Sequence, residues 1–268
     1  MNQVVLLNKS VENKLFEFMN QDRIRNFWGI YDLKHLRDKT RTWVAFSDMN
    51  VAGYLVEHDK RILHIRGNAA CVAPLLKNTD LTTPLFNVEP THLSAVKKLY
   101  KPTESTDSTT RGKVTTYISM KVSADNFKPT IVRNVLEMGK EDSEAIGGLL
   151  GREPNRVADL VKGLAYGLYK NGQLVSFAAA PEILEDLAII RGVYTVPDLR
   201  GKGYATSVCS ALVGRLFEQG REVILYVSKD NPSAIKVYRK LGFRETEHVF
   251  LSFKAERRIG KRRHVNDK

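Results

Sequence analysis

At 268 residues, with 43% apolar and 27% charged side chains, the chain has the composition of a soluble globular protein long enough for two domains. No apolar run approaches a membrane span, and the stretch from Met1 to Lys9 is too short and poorly built for a signal peptide, so a cytoplasmic location is expected. The formal charge of +12 suits an anionic ligand or weak attraction to nucleic acid, whereas two cysteines and six scattered histidines without ligand spacing lead us to expect no metal.

In chain order, helical patterns around Val11, Leu15 and Phe18 and around Ile24, Phe27, Ile30 and Tyr31 lead into a strand from Thr42 to Ser47. Asp48-Met49-Asn50 reads as a hairpin turn, Val51 to Glu57 as its second arm and Ile62 to Ile65 as a third strand. Helical spacing returns around Cys71, Leu75 and Leu76. Leu85 to Val88 follows as a short strand, His92 to Tyr100 as a helix and Val114 to Val122 as an alternating strand. Between the last two, Lys101 to Thr110 is polar enough for a mobile loop. Pro129 breaks any continuing ladder, which puts a domain junction near Asp125 to Pro129.

The second half then repeats the first. Ile131 to Leu136 reads as a strand, and Asp142 to Leu150 and Pro154 to Val161 as short helices. Tyr166 to Tyr169 and Leu174 to Ala180 form a hairpin about Lys170-Asn171-Gly172, a strong turn signal. A central strand, a long helix, a strand to Val227, a helix from Pro232 to Leu241 and a strand from Val249 to Phe253 complete it. Two helices, three strands, a helix, a strand, a helix and a strand recur in both halves, so the chain reads as a duplication. Expected domains are 1–128, 129–255 and a tail, 256–268, whose six Lys or Arg residues against two acids leave a net of +4. That tail has no apolar periodicity and reads as disordered and solvated.

The stretch between central strand and long helix carries the chemistry. The apolar run from Leu187 to Val196 ends at Pro197, and Gly201 and Gly203 then alternate around Lys202. Tyr204, Val208, Leu212, Leu216 and Phe217 follow at helical spacing. Backbone N–H groups at a helix start lack internal partners, the helix dipole adds positive potential, and glycines let an anion come close. This is a phosphate or pyrophosphate cradle, with Arg200 and Lys202 adding charge. A P-loop is excluded because Gly203 follows Lys202, and a dinucleotide fingerprint because Thr206 stands where a third glycine is needed. The first half has only Arg66-Gly-Asn-Ala-Ala-Cys71 at the corresponding place, with one glycine.

Arg200-Gly-Lys-Gly-Tyr-Ala205 resembles the Arg/Gln-x-x-Gly-x-Gly/Ala loop of the GNAT N-acetyltransferases, which use acetyl-coenzyme A. Downstream, Asn231-Pro-Ser-Ala-Ile-Lys-Val-Tyr238 and Leu241-Gly-Phe243 resemble that family's Asn-x-x-Ala-x-x-x-Tyr…Leu-Gly-Phe segment, and Gly-Val-Tyr-Thr-Val-Pro is closest to its FR47-like branch, which includes amino-acid N-acyltransferases. The likeness covers roughly residues 130 to 254, and the first half lacks both motifs. It implies an α/β (α+β) fold of tandem GNAT-like domains, each a mixed, mostly antiparallel twisted sheet flanked by helices, the first a degenerate copy that does not bind coenzyme A.

By the same resemblance, backbone groups of Val193, Tyr194 and Thr195 pair with the pantetheine arm, and the amides of Gly201, Lys202, Gly203, Tyr204, Ala205 and Thr206 hold the pyrophosphate. Asn231 reaches the cofactor arm or caps the helix that begins at Pro232, roles that are compatible. Tyr238 matches the tyrosine that protonates the departing thiolate, or is a core aromatic. No carboxylate lies on the central strand or on Val223 to Val227; of the acids Glu182, Glu185 and Asp186 just before the central strand, Glu185 is taken as the candidate general base. Arg191, alone in an apolar strand, is expected to meet a carboxylate of the protein or of the substrate. The expected function is acetyl-coenzyme A-dependent transfer to a primary amine by a monomer or homodimer. The rivals are a non-catalytic acyl-coenzyme A sensor and a nucleic-acid-associated protein acting through its basic tail.

Overall fold

The computed structural model describes residues 3–103, 114–130 and 134–258. Most of the expected mobile loop, the start of the strand from Ile131 and the tail from residue 259 lie outside them. Chain order begins β1 (Gln3–Leu6), α1 (Lys9–Asn20), α2 (Phe27–His35), β2 (Thr40–Ser47), β3 (Asn50–His58), β4 (Ile62–Gly67), α3 (Val72–Leu76), β5 (Leu85–Val88), α4 (Leu93–Leu99), β6 (Tyr100–Pro102) and β7 (Thr115–Val122). It continues β8 (Val135–Glu137), α5 (Ser143–Leu150), α6 (Pro154–Val157), β9 (Leu164–Lys170), β10 (Gln173–Ile183), β11 (Leu187–Thr195), α7 (Tyr204–Glu218), β12 (Glu222–Ser228), α8 (Pro232–Lys240) and β13 (Arg244–Arg257). No helix among the described residues is long and apolar enough to cross a membrane.

These residues form two compact units, the described parts of Met1–Tyr117 with Val249–Lys268, and Ile118–His248. In the first, β1 to β4 are antiparallel neighbours, and β5 joins β4 in parallel from Ile62↔Leu85 to His64↔Asn87. Asp48 and Met49, with φ of 49° and 68°, take the left-handed conformations a two-residue hairpin demands, as the sequence predicts. One face is an apolar core of Trp43, Leu55, Ile65, Leu75, Phe86 and Phe253. In the second unit, β8 to β11 are antiparallel and β12 joins β11 in parallel. The predicted Lys170-Asn-Gly172 turn is present, with Asn171 at φ 50°. Helix α7 buries Val208, Leu212 and Leu216. Helix α8 buries Ile235 and Tyr238, three residues apart on one stripe.

The edges depart from expectation. The strand over Val249 to Phe253, expected to complete the second half, lies instead in the first unit, where Leu251 pairs with Val88 and Lys254 with Leu85. Conversely, β7 from Ile118 onward, expected to close the first half, lies in the second unit beside β12. There the Lys121 ammonium stands 2.6 Å from Glu222. The two copies thus exchange their last strands, and the division expected at 128/129 does not describe the compact units. Period-two alternation tells which side chains share a face; it does not tell which sheet edge a strand joins. Glu256 and Arg257, assigned to the tail, end β13, and Arg257 donates to the Thr79 carbonyl at 2.5 Å.

Candidate functional site

The second unit opens its own sheet. The β11–β12 ladder runs from Leu187↔Glu222 to Ile190↔Leu225 and stops there. Against β10, Phe177 faces Tyr194 but Ala179 faces Arg191, so β11 bulges at Gly192 and Val193. Gly192 takes φ 69° there. A bulge bends its strand, and this one falls where β11 leaves β12. Beyond it lie Val193, Tyr194 and Thr195. Two of their carbonyls are already engaged, Tyr194 by the Ser176 hydroxyl at 3.0 Å and Thr195 by Arg200 Nε at 3.1 Å. The Arg200 tether, which also lays the guanidinium 5.8 Å from the centre of the Tyr194 ring, has no signature in the sequence.

After a short turn at Pro197–Leu199 the chain reaches Gly201 and Gly203, at φ 76° and 85°. A Cβ built at either would meet no atom within 4 Å, so both face open space. Gly203 caps α7, and no acceptor within the described residues takes the N–H groups of Gly201 to Thr206. Exposed Lys202 keeps its ammonium 3.5 Å from the Asp198 carbonyl. Convergent free donors, the positive end of a 15-residue helix and room where side chains would stand fit a pyrophosphate group.

Asn231 caps α8: its side-chain oxygen accepts from Ala234 N at 3.1 Å and from the Ser233 hydroxyl at 2.9 Å. Tyr238, on the same helix, is 7% exposed and packs 5.8 Å from the Phe243 ring. Burial pushes its phenol well above the ordinary range, and neighbouring Cys209 adds to the effect. Its hydroxyl has no hydrogen-bond partner among the described residues, although a buried tyrosine hydroxyl usually finds one. Cys209 itself is buried, with a thiol pushed up to about 12 by desolvation. Neither cysteine forms a disulfide among the described residues.

Glu185 does not join this group. It is exposed in the turn before β11, at the end of that strand opposite the glycines, with the nine residues of β11 between. Its neighbour Glu182 lies within β10 and is only 4% exposed. Burial raises its carboxyl above the usual range, against the pull of Arg191 and Lys162. Arg191 does meet a protein carboxylate, with Nε 3.4 Å from Glu182. The buried partner is the acid, however, since the Arg191 side chain is 44% exposed.

The corresponding place in the first unit is closed. Past the last β4–β5 rung, fully buried Arg66 donates to the Ile65 and Asn87 carbonyls at 2.9 Å each and to the Asn87 side chain at 2.6 Å. This guanidinium stitches together the strand ends that separate in the second unit. The following turn is capped by Asn68, which accepts from Ala70 N, and α3 has only five residues.

Residues 165–251 match the family model described as FR47-like protein. Over 65 residues the chain is 34% identical to an uncharacterized N-acetyltransferase of Methanocaldococcus jannaschii, a match covering 24% of this chain and 29% of that one. The chain therefore spans under a third of that curated relative. Among solved structures, a Drosophila melanogaster protein superposes with a TM-score of 0.70 at 13% identity, covering 95% of this chain and 98% of that one. A tandem GNAT protein from the clavulanic acid biosynthesis pathway does so with 0.59 at 14%, covering 96% and 98%. At such identities the structural likeness carries the fold, a tandem of GNAT-like mixed sheets flanked by helices.

Proposed function

We propose that this chain is an acetyl-coenzyme A-dependent N-acetyltransferase whose cofactor site lies in the unit Ile118–His248. The glycine turn is the observation that carries this reading: six backbone N–H groups without acceptors stand at the start of α7, beside a strand that has just left its ladder. Acetyl-coenzyme A would supply the activated acetyl thioester. The amides of Gly201 to Thr206 would hold its pyrophosphate, and the freed edge at Val193 to Thr195 would align the pantetheine arm as an added strand. Held in this way, the thioester would present its carbonyl carbon to direct attack by an acceptor amine, with sulfur as the leaving group. The M. jannaschii relative and the FR47-like match support the reading.

Tyr238 would donate its unpartnered hydroxyl to the departing sulfur. Because burial raises the phenol well above a thiol's reference pKa of about 8.5, complete proton transfer runs uphill, and the hydroxyl acts mainly as a hydrogen-bond donor. Tyr238→Phe keeps the ring and its packing, so kcat should fall about 10²-fold with coenzyme A affinity nearly unchanged. Free-thiol release and calorimetric titration measure the two quantities. A group with a raised pKa keeps its proton as pH rises, so no loss of kcat assignable to Tyr238 should appear below about pH 10. Wild-type kcat in the variant, with chemistry limiting, would make Tyr238 a packing residue.

One cofactor is expected per chain, because Arg66 fills the first unit's opening and Asn68 takes a donor of its turn. Calorimetry should give a stoichiometry of one; two would assign a site to Met1–Tyr117 after all. One observation favours a sensor instead: β11 has no carboxylate, and the acid of β12, Glu222, is bound by Lys121. Under the enzymatic reading the amine arrives neutral or yields its proton to water. Turnover of any amine decides between the two.

A further inference from the structure

The charge of the chain is unevenly shared. Met1–Tyr117 with Val249–Lys268 carries 24 Lys or Arg against 14 Asp or Glu, a net of +10. Ile118–His248, which holds the glycine turn, carries 18 against 16, a net of +2. A cradle for an anionic cofactor therefore does not account for the excess. The excess belongs to the unit whose own opening Arg66 closes.

Within that unit the cations gather at one end of the sheet. Strand β2 starts there, with Arg41 opposite Glu57 of β3, and the Lys60–Arg61 turn leads on to β4 at Ile62. Strand β5 starts alongside, Leu85 N donating to the Arg61 carbonyl. Strand β13 ends there, Arg257 N reaching the Thr82 carbonyl, and β6 lies against it with Lys101 opposite Glu256. Helix α2 carries Lys34 in its last turn and leads through Arg37 and Lys39 into β2. Lys77 caps α3, and Lys97 and Lys98 lie in the last turn of α4. Arg258 is tied into the same rim, its Nε donating to the Lys97 carbonyl at 2.9 Å. All twelve cations are exposed except Arg257, which is half-buried. Six carboxylates share the rim. Of these, Glu12 is taken by Arg37, and buried Glu57 accepts from the Thr79 hydroxyl.

Neighbouring strands stand about 4.8 Å apart, so the rim over β2, β3, β4, β5 and β13 runs about 20 Å. One nucleic-acid strand places about six phosphates over that length. Little apolar surface accompanies the charge. The exposed large apolar side chains among the described residues are Leu6, Met49 and Leu136. Met49 tips the hairpin at the other end of the sheet and Leu136 belongs to the other unit, which leaves Leu6 alone near the rim. A protein partner asks for an apolar interface core and a membrane for an apolar face to bury, whereas a phosphate backbone asks only for charge.

We infer that this rim of the first unit is a nucleic-acid-binding surface that grips the sugar-phosphate backbone without reading base sequence. It differs from a basic tail acting alone, because folded elements build it and Lys261, Arg262 and Arg263 merely follow Arg258 in sequence. It stands whether or not the second unit transfers acetyl groups.

Fluorescence anisotropy of labelled duplex DNA, single-stranded DNA and single-stranded RNA, titrated with the full chain from roughly 50 to 200 mM salt, tests this. The logarithm of affinity should fall with the logarithm of salt at a slope of about −5 on the duplex, as six neutralised phosphates require. The tightest of the three ligands identifies the form that the surface serves. Replacing Lys39, Arg61, Lys98 and Lys101 together by Gln should weaken binding at least about 10²-fold and flatten the slope by about 3–4. The same replacement of Lys140, Arg156, Lys170 and Lys240, exposed cations of Ile118–His248, should change neither quantity. Neutralising Lys261, Arg262 and Arg263 should cost less than neutralising the rim. Absent or salt-independent binding overturns the inference, as do equal losses in the two fourfold variants or a loss confined to the tail variant. Tighter binding to phosphatidylserine vesicles than to any of the three nucleic acids also overturns it and makes the rim a membrane-docking surface.

Discussion

Gly242→Ala is expected to melt the unit Ile118–His248 far below its wild-type temperature. Gly242 follows α8 at φ 96°, in the Leu-Gly-Phe segment that the sequence singles out. A Cβ there would stand 1.9 Å from the Asn126 carbonyl oxygen and 2.8 Å from its carbon, both backbone atoms that cannot rotate away. The crossing is pinned on each side. Lys128 N donates to the Leu241 carbonyl at 3.0 Å, and Phe127 meets the edge of Phe217 on α7 at 5.3 Å. Left-handed backbone costs a residue with a side chain about 1–2 kcal/mol. Parting the two segments forfeits the hydrogen bond and the aromatic contact besides, for a total near 4 kcal/mol, at the exceptional end for one substitution. At roughly 2–4 °C per kcal/mol this lowers Tm by about 10 °C. The internal control is Gly148→Ala in α5, where a Cβ meets nothing within 4 Å and helix propensity should leave stability equal or slightly raised. Calorimetric melting of the three proteins measures the contrast. Indistinguishable melting of Gly242→Ala and wild type would show that Leu-Gly-Phe is no structural knot.

Gly203→Val should abolish coenzyme A binding, with an affinity loss of at least about 10³-fold. The valine side chain would occupy the open space at the start of α7 into which the free amides point. Its β-branch also disfavours φ 85°, so the turn itself would relax and scatter its donors. Strain alone is a competing explanation, and Gly172 separates the two. That residue has a similar φ of 75° and open surroundings, but belongs to the β9–β10 turn. Gly172→Val should cost comparable stability and leave affinity untouched. Calorimetric titration of both variants is decisive: unchanged affinity in Gly203→Val, or equal losses in both, sinks the cradle.

Much of this architecture is legible before any coordinates, because its signals are local. Asn171-Gly172 and Asp48-Met49 declare their turns through backbone conformations few residues tolerate. Asn231 declares a helix start, and the alternation of Gly201 and Gly203 declares a turn that brings donors together. What stays hidden depends on partners remote in sequence. The strand expected to end at Ala180 runs on as β10 to Ile183, because Glu182 pairs with Ile189 across the ladder. Arg66 looks like part of a failed glycine loop, and only its bonds to Asn87, 21 residues on, reveal a stitch. Glu185 is close to the central strand along the chain, and strand direction puts it at the end of β11 opposite the glycines.

The borrowed strand sets a timetable for synthesis. The edge of β5 remains a row of unpaired N–H and C=O groups until Leu251 to Lys254 emerge to cover it. Phe86 likewise waits for the ring of Phe253, which stacks on it at 5.2 Å. At 5–20 residues per second, the ribosome needs roughly 10–30 s to travel from one to the other. For that interval the nascent first unit carries an open, apolar edge that pairs with any extended chain at hand. Slowing translation between the two segments should therefore lower the yield of soluble protein, while speeding it should raise it.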